Sequence, residues 1–406
     1  MDSHDVARGN GANPSAPNGA AEPGPPAAGS SRYVADDAAL AGLTERIKSG
    51  GRVAFDTEAD SFHHYHEKVC LIQVRVNDED FLVDPLAGLD LGAFLSVLSD
   101  KTLIVHDGGY DLRMLHRAYG FIPRGEVFDT MPAARLVGIE RFGLGALVEQ
   151  FFGTSIPKQG QKSDWSRRPL DDAQVRYAVQ DTRYLPALAD VLCERLNSLG
   201  RLQWHRQCCE AMVRAATQGR AAADPDRWRV KGSTKLKPRE LAFLKEIWQW
   251  REREAQESDL PAFKVATNEL IVEVAVWAAH HVGTHWSKGP RLPRNCTGRR
   301  LARLEAAIGA ARNMAEADWP SPPRRREMPA GLMEVQPIVD ALLTQCRHIA
   351  HGFGIAPSFL ASRAMIEQIA LKRPQTPEQI TGAAGLMPWQ AQLLHESIRN
   401  VLAKRR

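Results

Sequence analysis

The sequence predicts an α/β domain built on a mixed β-sheet, followed by two all-helical modules. Three observations carry this. Short β-prone runs lie between residues 52 and 129, with a helical stretch among them. From about residue 235 onward only helical periodicity remains. Turn-rich breaks at 218–235 and 319–326 set off and divide that helical half. Strands first, then strand and helix alternating, then helices, is the order expected of an α/β layer with further domains behind it. A length of 406 residues allows two or three domains at about 150 residues each.

Residues 1–31 hold 21 Ala, Gly, Pro or Ser. Such a segment buries too little surface to offset its ordering entropy, so residues 1–32 are expected to form a disordered tail. Leu40, Leu43 and Ile47 then repeat at helical spacing up to Gly50-Gly51. Strands are expected at Arg52–Asp56, Val69–Val76, Asp80–Asp84, Thr102–His106 and Glu126–Asp129. A helix through Leu112, Leu115 and Ala118 separates the last two, and helical period dominates from Leu136 to about Leu202. These elements fill an expected domain at 33–210, with a linker at 211–234. The first helical module, 235–315, shows apolar faces at Leu241, Leu244, Trp248 and at Leu270, Val274, Trp277. Prolines 320, 322 and 323 exclude a continuous helix in a second linker at 316–329. The second module, 330–406, is helical with loops at 352–354 and Gly385.

The net charge of +4 conceals two opposed terms. Residues 33–190 carry 17 basic and 24 acidic groups, whereas residues 191–406 carry 33 basic and 21 acidic groups. An acidic half joined to a basic half fits carboxylates that bind cations and a surface that binds a polyanion; solubility alone would explain it equally well. Six cysteines without C-x-x-C or zinc spacing, and no secretory signal, lead us to expect a cytoplasmic protein with free thiols. No apolar run approaches the ~20 residues of a membrane span, so no membrane partner is expected.

Phe55-Asp56-Thr57-Glu58 ends the first strand run, and residues i and i+2 of a strand share a face, so Asp56 and Glu58 project together. Adjacent carboxylates repel unless a cation neutralises them. Asp111 follows in the first turn of a helix after Gly108-Gly109, and Tyr177 and Asp181 share one helical face at i, i+4. Each signal alone also fits a solvated edge or an ordinary dipole partner. Together, four carboxylates from strand ends and helices have the make-up of a site for two divalent ions, and hard oxygen ligands select Mg²⁺ or Mn²⁺ over zinc. Tyr177 is placed to orient an attacking water.

These motifs resemble the DEDD exonuclease superfamily in its tyrosine-containing branch: FDTE at 55–58, H-x-x-x-x-D-L at 106–112 and Y-x-x-x-D at 177–181. Lys162-Ser163-Asp164-Trp165-Ser166-Arg167-Arg168-Pro169-Leu170 is similar to a signature of the ribonuclease D family. The resemblance covers roughly residues 33–210. It implies a ribonuclease H-like mixed-sheet exonuclease domain and 3′→5′ hydrolysis of RNA from a free 3′ end. By resemblance Asp56 would bridge two metals, with Glu58 and Asp181 on the nucleophile side, Asp111 serving the second ion through water, and Tyr177 holding the attacking water. Phe128-Asp129-Thr130 repeats the first motif without its second acid, so Asp129 is expected to be structural or supporting. His63, His64 and His66 are expected to be solvated or, at most, near RNA.

Leu241 to Val265, with Trp250-Arg251-Glu252 and Asp259-Leu260-Pro261, resembles the HRDC domain, and Ile355 to Arg363 resembles a more divergent copy. By that resemblance, RNA contacts are expected on the helical half, among Arg291, Arg294, Arg299, Arg300, Arg303 and Arg324-Arg325-Arg326. Trp165 and Arg168 are further candidates for RNA contact. The implied partner is RNA with a free 3′ end, transfer RNA precursors among it, acted on by a monomer. Two rivals stand beside this: a 3′→5′ DNA exonuclease, and a non-catalytic RNA-binding scaffold. An intact helicase is excluded because no G-x-x-x-x-G-K-[ST] string is present.

Overall fold

The computed structural model describes residues 31–156, 160–219, 224–281, 283–284, 288–322 and 331–404. Residues 33–210 hold most of a six-stranded sheet domain. Its strands are β1 (Ser31–Val34), β2 (Arg52–Ala59), β3 (Val69–Val76), β4 (Glu79–Val83), β5 (Thr102–Val105) and β6 (Val127–Asp129). Their order is β1-β4-β3-β2-β5-β6. Strand β3 runs antiparallel to both neighbours, while β2, β5 and β6 are mutually parallel, as is the β1–β4 pair. The helices are α1 (Asp37–Ser49), α2 (Gly92–Ser99), α3 (Gly109–Tyr119), α4 (Thr130–Leu136), α5 (Leu144–Phe152), α6 (Asp172–Arg183), α7 (Leu185–Ser198) and α8 (Leu202–Thr217).

Strand periodicity decides which helices cover which face. Val53, Phe55, Leu103 and Val105 enter one core with Leu40 and Leu43 of α1, Leu112 and Leu115 of α3, and Cys209 of α8. The alternate residues Ala54 and Ile104 pack instead on Leu185 and Ala189 of α7. Helix α6 lies across β2, β3 and β4 on that second face, burying Ala178 and Val179 against Cys70, Leu71 and Leu82. The same alternation turns Asp56 and Glu58 toward α6, and Thr57 toward α3.

Three expected boundaries move. The sheet begins at Ser31, inside the segment read as a tail, because Ser31 to Val34 pair in parallel with Asp80 to Val83 and Arg32 meets Glu79 at 2.8 Å. Residues 1–30 lie outside the described residues. Helix α8 runs to Thr217, past the expected domain end at 210, because Ala216 and Cys209 are buried against the sheet core. Trp228, in the expected linker, is buried in the core of the following domain.

That domain comprises α9 (Pro238–Glu257), α10 (Ala262–Val265), α11 (Asn268–His280) and α12 (Gly298–Asn313), around its own apolar cluster. The last region comprises α13 (Leu332–Gly352), α14 (Pro357–Leu360), α15 (Arg363–Lys372), α16 (Pro377–Ala384) and α17 (Pro388–Ala403). The two share a local plan. A long helix is followed by a one-turn helix, an extended Ala (Ala266, φ −158°; Ala361, φ −156°) and a hydroxyl N-cap (Thr267; Ser362). Their relation to the sheet domain differs. The last region shares one continuous core with α4, α5 and α7, and Trp389 stacks on Trp204 at 4.8 Å.

Candidate active site

Asp56 and Glu58 stand on β2 where its register with β3 becomes irregular, between Glu58 and Ala59. Asp181 reaches the same spot from α6. One oxygen of each of the three carboxylates lies within 4.8 Å of the others. Among the described residues this is the only set of three or more His, Cys, Asp or Glu side chains so arranged.

Asp111 arrives from the opposite face of the sheet. Its Oδ1 accepts from the Thr57 N–H at 3.1 Å and from the Thr57 hydroxyl at 2.5 Å. The fourth acid is therefore fastened to the residue between Asp56 and Glu58 without joining their triad. The turn that delivers it is clamped by Asp129. That carboxylate accepts from the N–H groups of Asp107 (2.9 Å), Gly108 (3.1 Å) and Met131 (2.9 Å). Asp107 sits at φ 56°, and a Cβ on Gly108 would meet Val105 Cγ2 at 2.5 Å, so the turn accepts no larger residue there without shifting.

Tyr177 lies one turn before Asp181 on α6, and both side chains line the same cleft. Gly160 closes against the ring: a Cβ there would come within 2.8 Å of Tyr177 Cγ. A cleft of about 520 Å³ opens beside these groups, lined by Asp56, His106, Arg141, Gln161, Tyr177 and Asp181 among others. Arg141 is 80% exposed there, with only a loose contact to Glu149 at 3.6 Å.

The electrostatics of the cluster follow from burial and crowding. Desolvation first, and then the charges of Asp111, Asp181 and Glu58, hold the Asp56 carboxyl well above the usual carboxylate range. Burial and then neighbouring acids push Glu58 to about 9. Burial raises Asp181 to about 7, and raises Asp111 to about 6 against the hydrogen bonds from Thr57 that lower it. Tyr177 is also raised, so its hydroxyl stays protonated. Three converging carboxylates, all oxygen and each disfavoured as a bare anion, are a donor set suited to a hard divalent cation.

The model of the 3′-5′ exonuclease family matches residues 31–197, and that of the HRDC domain matches residues 240–277. Ribonuclease D of Gluconacetobacter diazotrophicus is 31% identical over 350 residues, which is 83% of this chain and 86% of that protein. The chain belongs to the ribonuclease D family. Ribonuclease D of Cronobacter turicensis is 31% identical over 90% of this chain and 98% of its own length. The crystal structure of Escherichia coli RNase D, described as an exoribonuclease involved in structured RNA processing, superposes with a TM-score of 0.67 at 26% identity, covering 92% of this chain and 99% of that one. The chain is accordingly a hydrolase, a 3′→5′ exoribonuclease of the ribonuclease D family that uses divalent metals.

Within this family frame, several expected contacts are corrected. Trp165 is 1% exposed, packed among Cys70, Leu71, Leu82 and Ala178, so no base can stack on it. Arg168 donates to both carboxylate oxygens of Asp84, each at 2.6 Å, and to the Cys70 carbonyl; it ties its loop to the sheet instead of facing RNA. Arg300 is held by Glu254 at 3.2 Å, and Arg303 by Glu254 and Glu257. Arg299 is exposed. Arg324 and Arg325, with Arg326, lie outside the described residues.

The histidine loop also has a structural task. Asp259, at the end of α9, accepts from His64 Nδ1 (2.8 Å) and from the N–H groups of Tyr65 (3.1 Å) and His66 (3.0 Å), joining the HRDC domain to the sheet domain. Sequence reasoning missed Arg141 and Gln161 as cleft residues. They sit in loops with no motif spacing, and only the folded cleft reveals them.

Proposed function

We propose that the chain shortens RNA one nucleotide at a time from its 3′-hydroxyl end and releases 5′-mononucleotides, with transfer RNA precursors among its substrates. The observation that carries this reading is the convergence of Asp56, Glu58 and Asp181 within 4.8 Å beside Tyr177 in an open cleft. Asp56, Glu58, Asp181 and Asp111 would hold two divalent ions, Mg²⁺ or Mn²⁺. Bound there, such ions supply Lewis-acid activation of a water and charge stabilisation at the phosphodiester.

The chain's own residues do the rest. Tyr177 keeps its proton beside Asp181, and its hydroxyl would accept from and aim the attacking water. Arg141 presents an exposed guanidinium to phosphates entering the cleft. Arg299 and the basic helical half would hold the upstream backbone. All six cysteines are free, which fits a reducing cytoplasm, and we propose a monomer working there. No helix among the described residues is long and apolar enough to cross a membrane.

The test uses matched 3′-hydroxyl RNA and DNA strands and a transfer RNA precursor with a 3′ trailer, each labelled at the last internucleotide phosphate. Release of labelled 5′-mononucleotide from RNA faster than from DNA, and trimming of the trailer, are expected. Faster DNA hydrolysis, or release of longer fragments, would contradict the proposal.

A further inference from the structure

We propose that His106 accepts a hydrogen bond from a ribose hydroxyl of the 3′-terminal nucleotide, reading the sugar of the end to be removed. This rests on the exoribonuclease reading above.

His106 follows the last residue of β5, and its Nδ1 lies 2.9 Å from Thr130 Oγ1 at the start of α4. The Thr130 hydroxyl has one proton, and it donates that proton to the Val105 carbonyl at 3.0 Å. Oγ1 can therefore meet the ring only as an acceptor, which places the imidazole hydrogen on Nδ1. Burial lowers the ring's pKa to about 4, so it is neutral at physiological pH. Nε2 is then a bare lone pair on a ring that lines the cleft with Asp56, Tyr177 and Asp181. Among the described residues, no protein donor meets it.

Three kinds of group could come to that nitrogen, and two fit badly. A metal shared with the acids is disfavoured, because a hard divalent ion in a carboxylate site takes oxygen ligands in preference to an imidazole nitrogen. A phosphodiester offers acceptors only and would face the lone pair unfavourably. What remains is a donor on the nucleoside. Base N–H groups differ among the four nucleotides, whereas an enzyme that trims successive residues needs a donor that every end carries. Sugar hydroxyls meet that requirement, and the 2′-hydroxyl also separates RNA from DNA. A site built around such a donor discriminates against the analogue lacking it, because its own acceptor is left unpaired.

The test compares wild type with His106→Phe on RNA strands identical except for the terminal sugar: ribose, 2′-deoxy or 3′-deoxy. Wild type is expected to cleave at least one deoxy end about tenfold more slowly than the ribose end. In His106→Phe the same ratio should fall to within about twofold of unity. The two deoxy arms identify which hydroxyl is read. Thr130→Val should erode the ratio and Thr130→Ser should restore it, with circular dichroism reporting that each variant is folded. A turnover-independent arm measures binding of 5′-AMP and its 2′- and 3′-deoxy forms, together with the ¹⁵N shifts of His106. A wild-type ratio retained in His106→Phe, or a ring hydrogen on Nε2, would overturn the proposal. Were wild type to shorten no RNA at all, the exonuclease reading would fail, while nucleotide binding would still decide the hydroxyl contact.

Discussion

Thr57 ties Asp111 to the strand that carries Asp56 and Glu58: its N–H and its hydroxyl both donate to one oxygen of Asp111, at 3.1 and 2.5 Å. Both residues are buried, so the pair fixes how α3 meets β2 from the face opposite the acid triad. Replacing Thr57 by Val keeps the shape and removes one donor from a buried carboxylate. We expect Thr57→Val to lower stability by about 1–3 kcal/mol. The same variant should cut kcat at least tenfold on single-stranded RNA, while Thr57→Ser stays near wild type. Urea melts and initial rates check both statements.

The metal-free acid cluster gives the protein a signed pH dependence. Asp111, Asp181 and Glu58 are raised to about 6, 7 and 9, above unfolded values of about 4. For groups raised in this way, stability is complete below the unfolded pKa and is lost as pH rises through the folded values. In chelator, the Tm should therefore fall between pH 5 and pH 9. Mg²⁺ or Mn²⁺ should raise it more at pH 8 than at pH 5. A flat Tm in chelator across that range would contradict the cluster's electrostatics.

The same repulsion separates stability from activity at Asp56. Asp56→Asn preserves volume and removes a charge that the site disfavours when no cation is present. It should melt above wild type at pH 8 in chelator, by a smaller margin at pH 5, and show no metal-dependent cleavage. Differential scanning fluorimetry alongside a cleavage assay reads both.

Asp259 gives the opposite sign. The His66 N–H and then His64 hold its carboxyl down at about 2, so its contribution to joining the HRDC and sheet domains is present above the ordinary carboxylate pKa and fades as pH falls toward 2. Asp259→Ala should loosen the two domains at neutral pH. Small-angle scattering is expected to show a larger radius of gyration, with little change in the melting of the sheet domain.

Asp129 and Asp56 show what the sequence could and could not convey. Both occur in Phe-Asp-Thr strings at strand ends, and the missing second carboxylate was enough to assign Asp129 a supporting place; the structure makes it the clamp for three N–H groups. The acids and Tyr177 were legible because strand and helix periods dictate which residues share a face. Trp165 and Arg168 were misread as RNA contacts because motif letters carry no record of burial or of a distant partner such as Asp84. Strand β1 escaped notice because four residues beside a Gly/Ala/Pro-rich segment have no periodicity of their own, and only their ladder with β4 makes them a strand. His106 stood in the motif string, yet its tautomer is set by Thr130, 24 positions away.

The central claim is that the Asp56–Glu58–Asp181 cluster drives 3′→5′ hydrolysis with divalent ions. A 5′-labelled single-stranded RNA, incubated with Mg²⁺ or Mn²⁺ and separately with chelator, tests it most directly. Wild type should give a ladder that shortens one nucleotide at a time from the 3′ end, abolished by chelator and by Asp181→Asn. Persistence of that ladder in chelator or in Asp181→Asn, or an inert wild type with both metals, would contradict it.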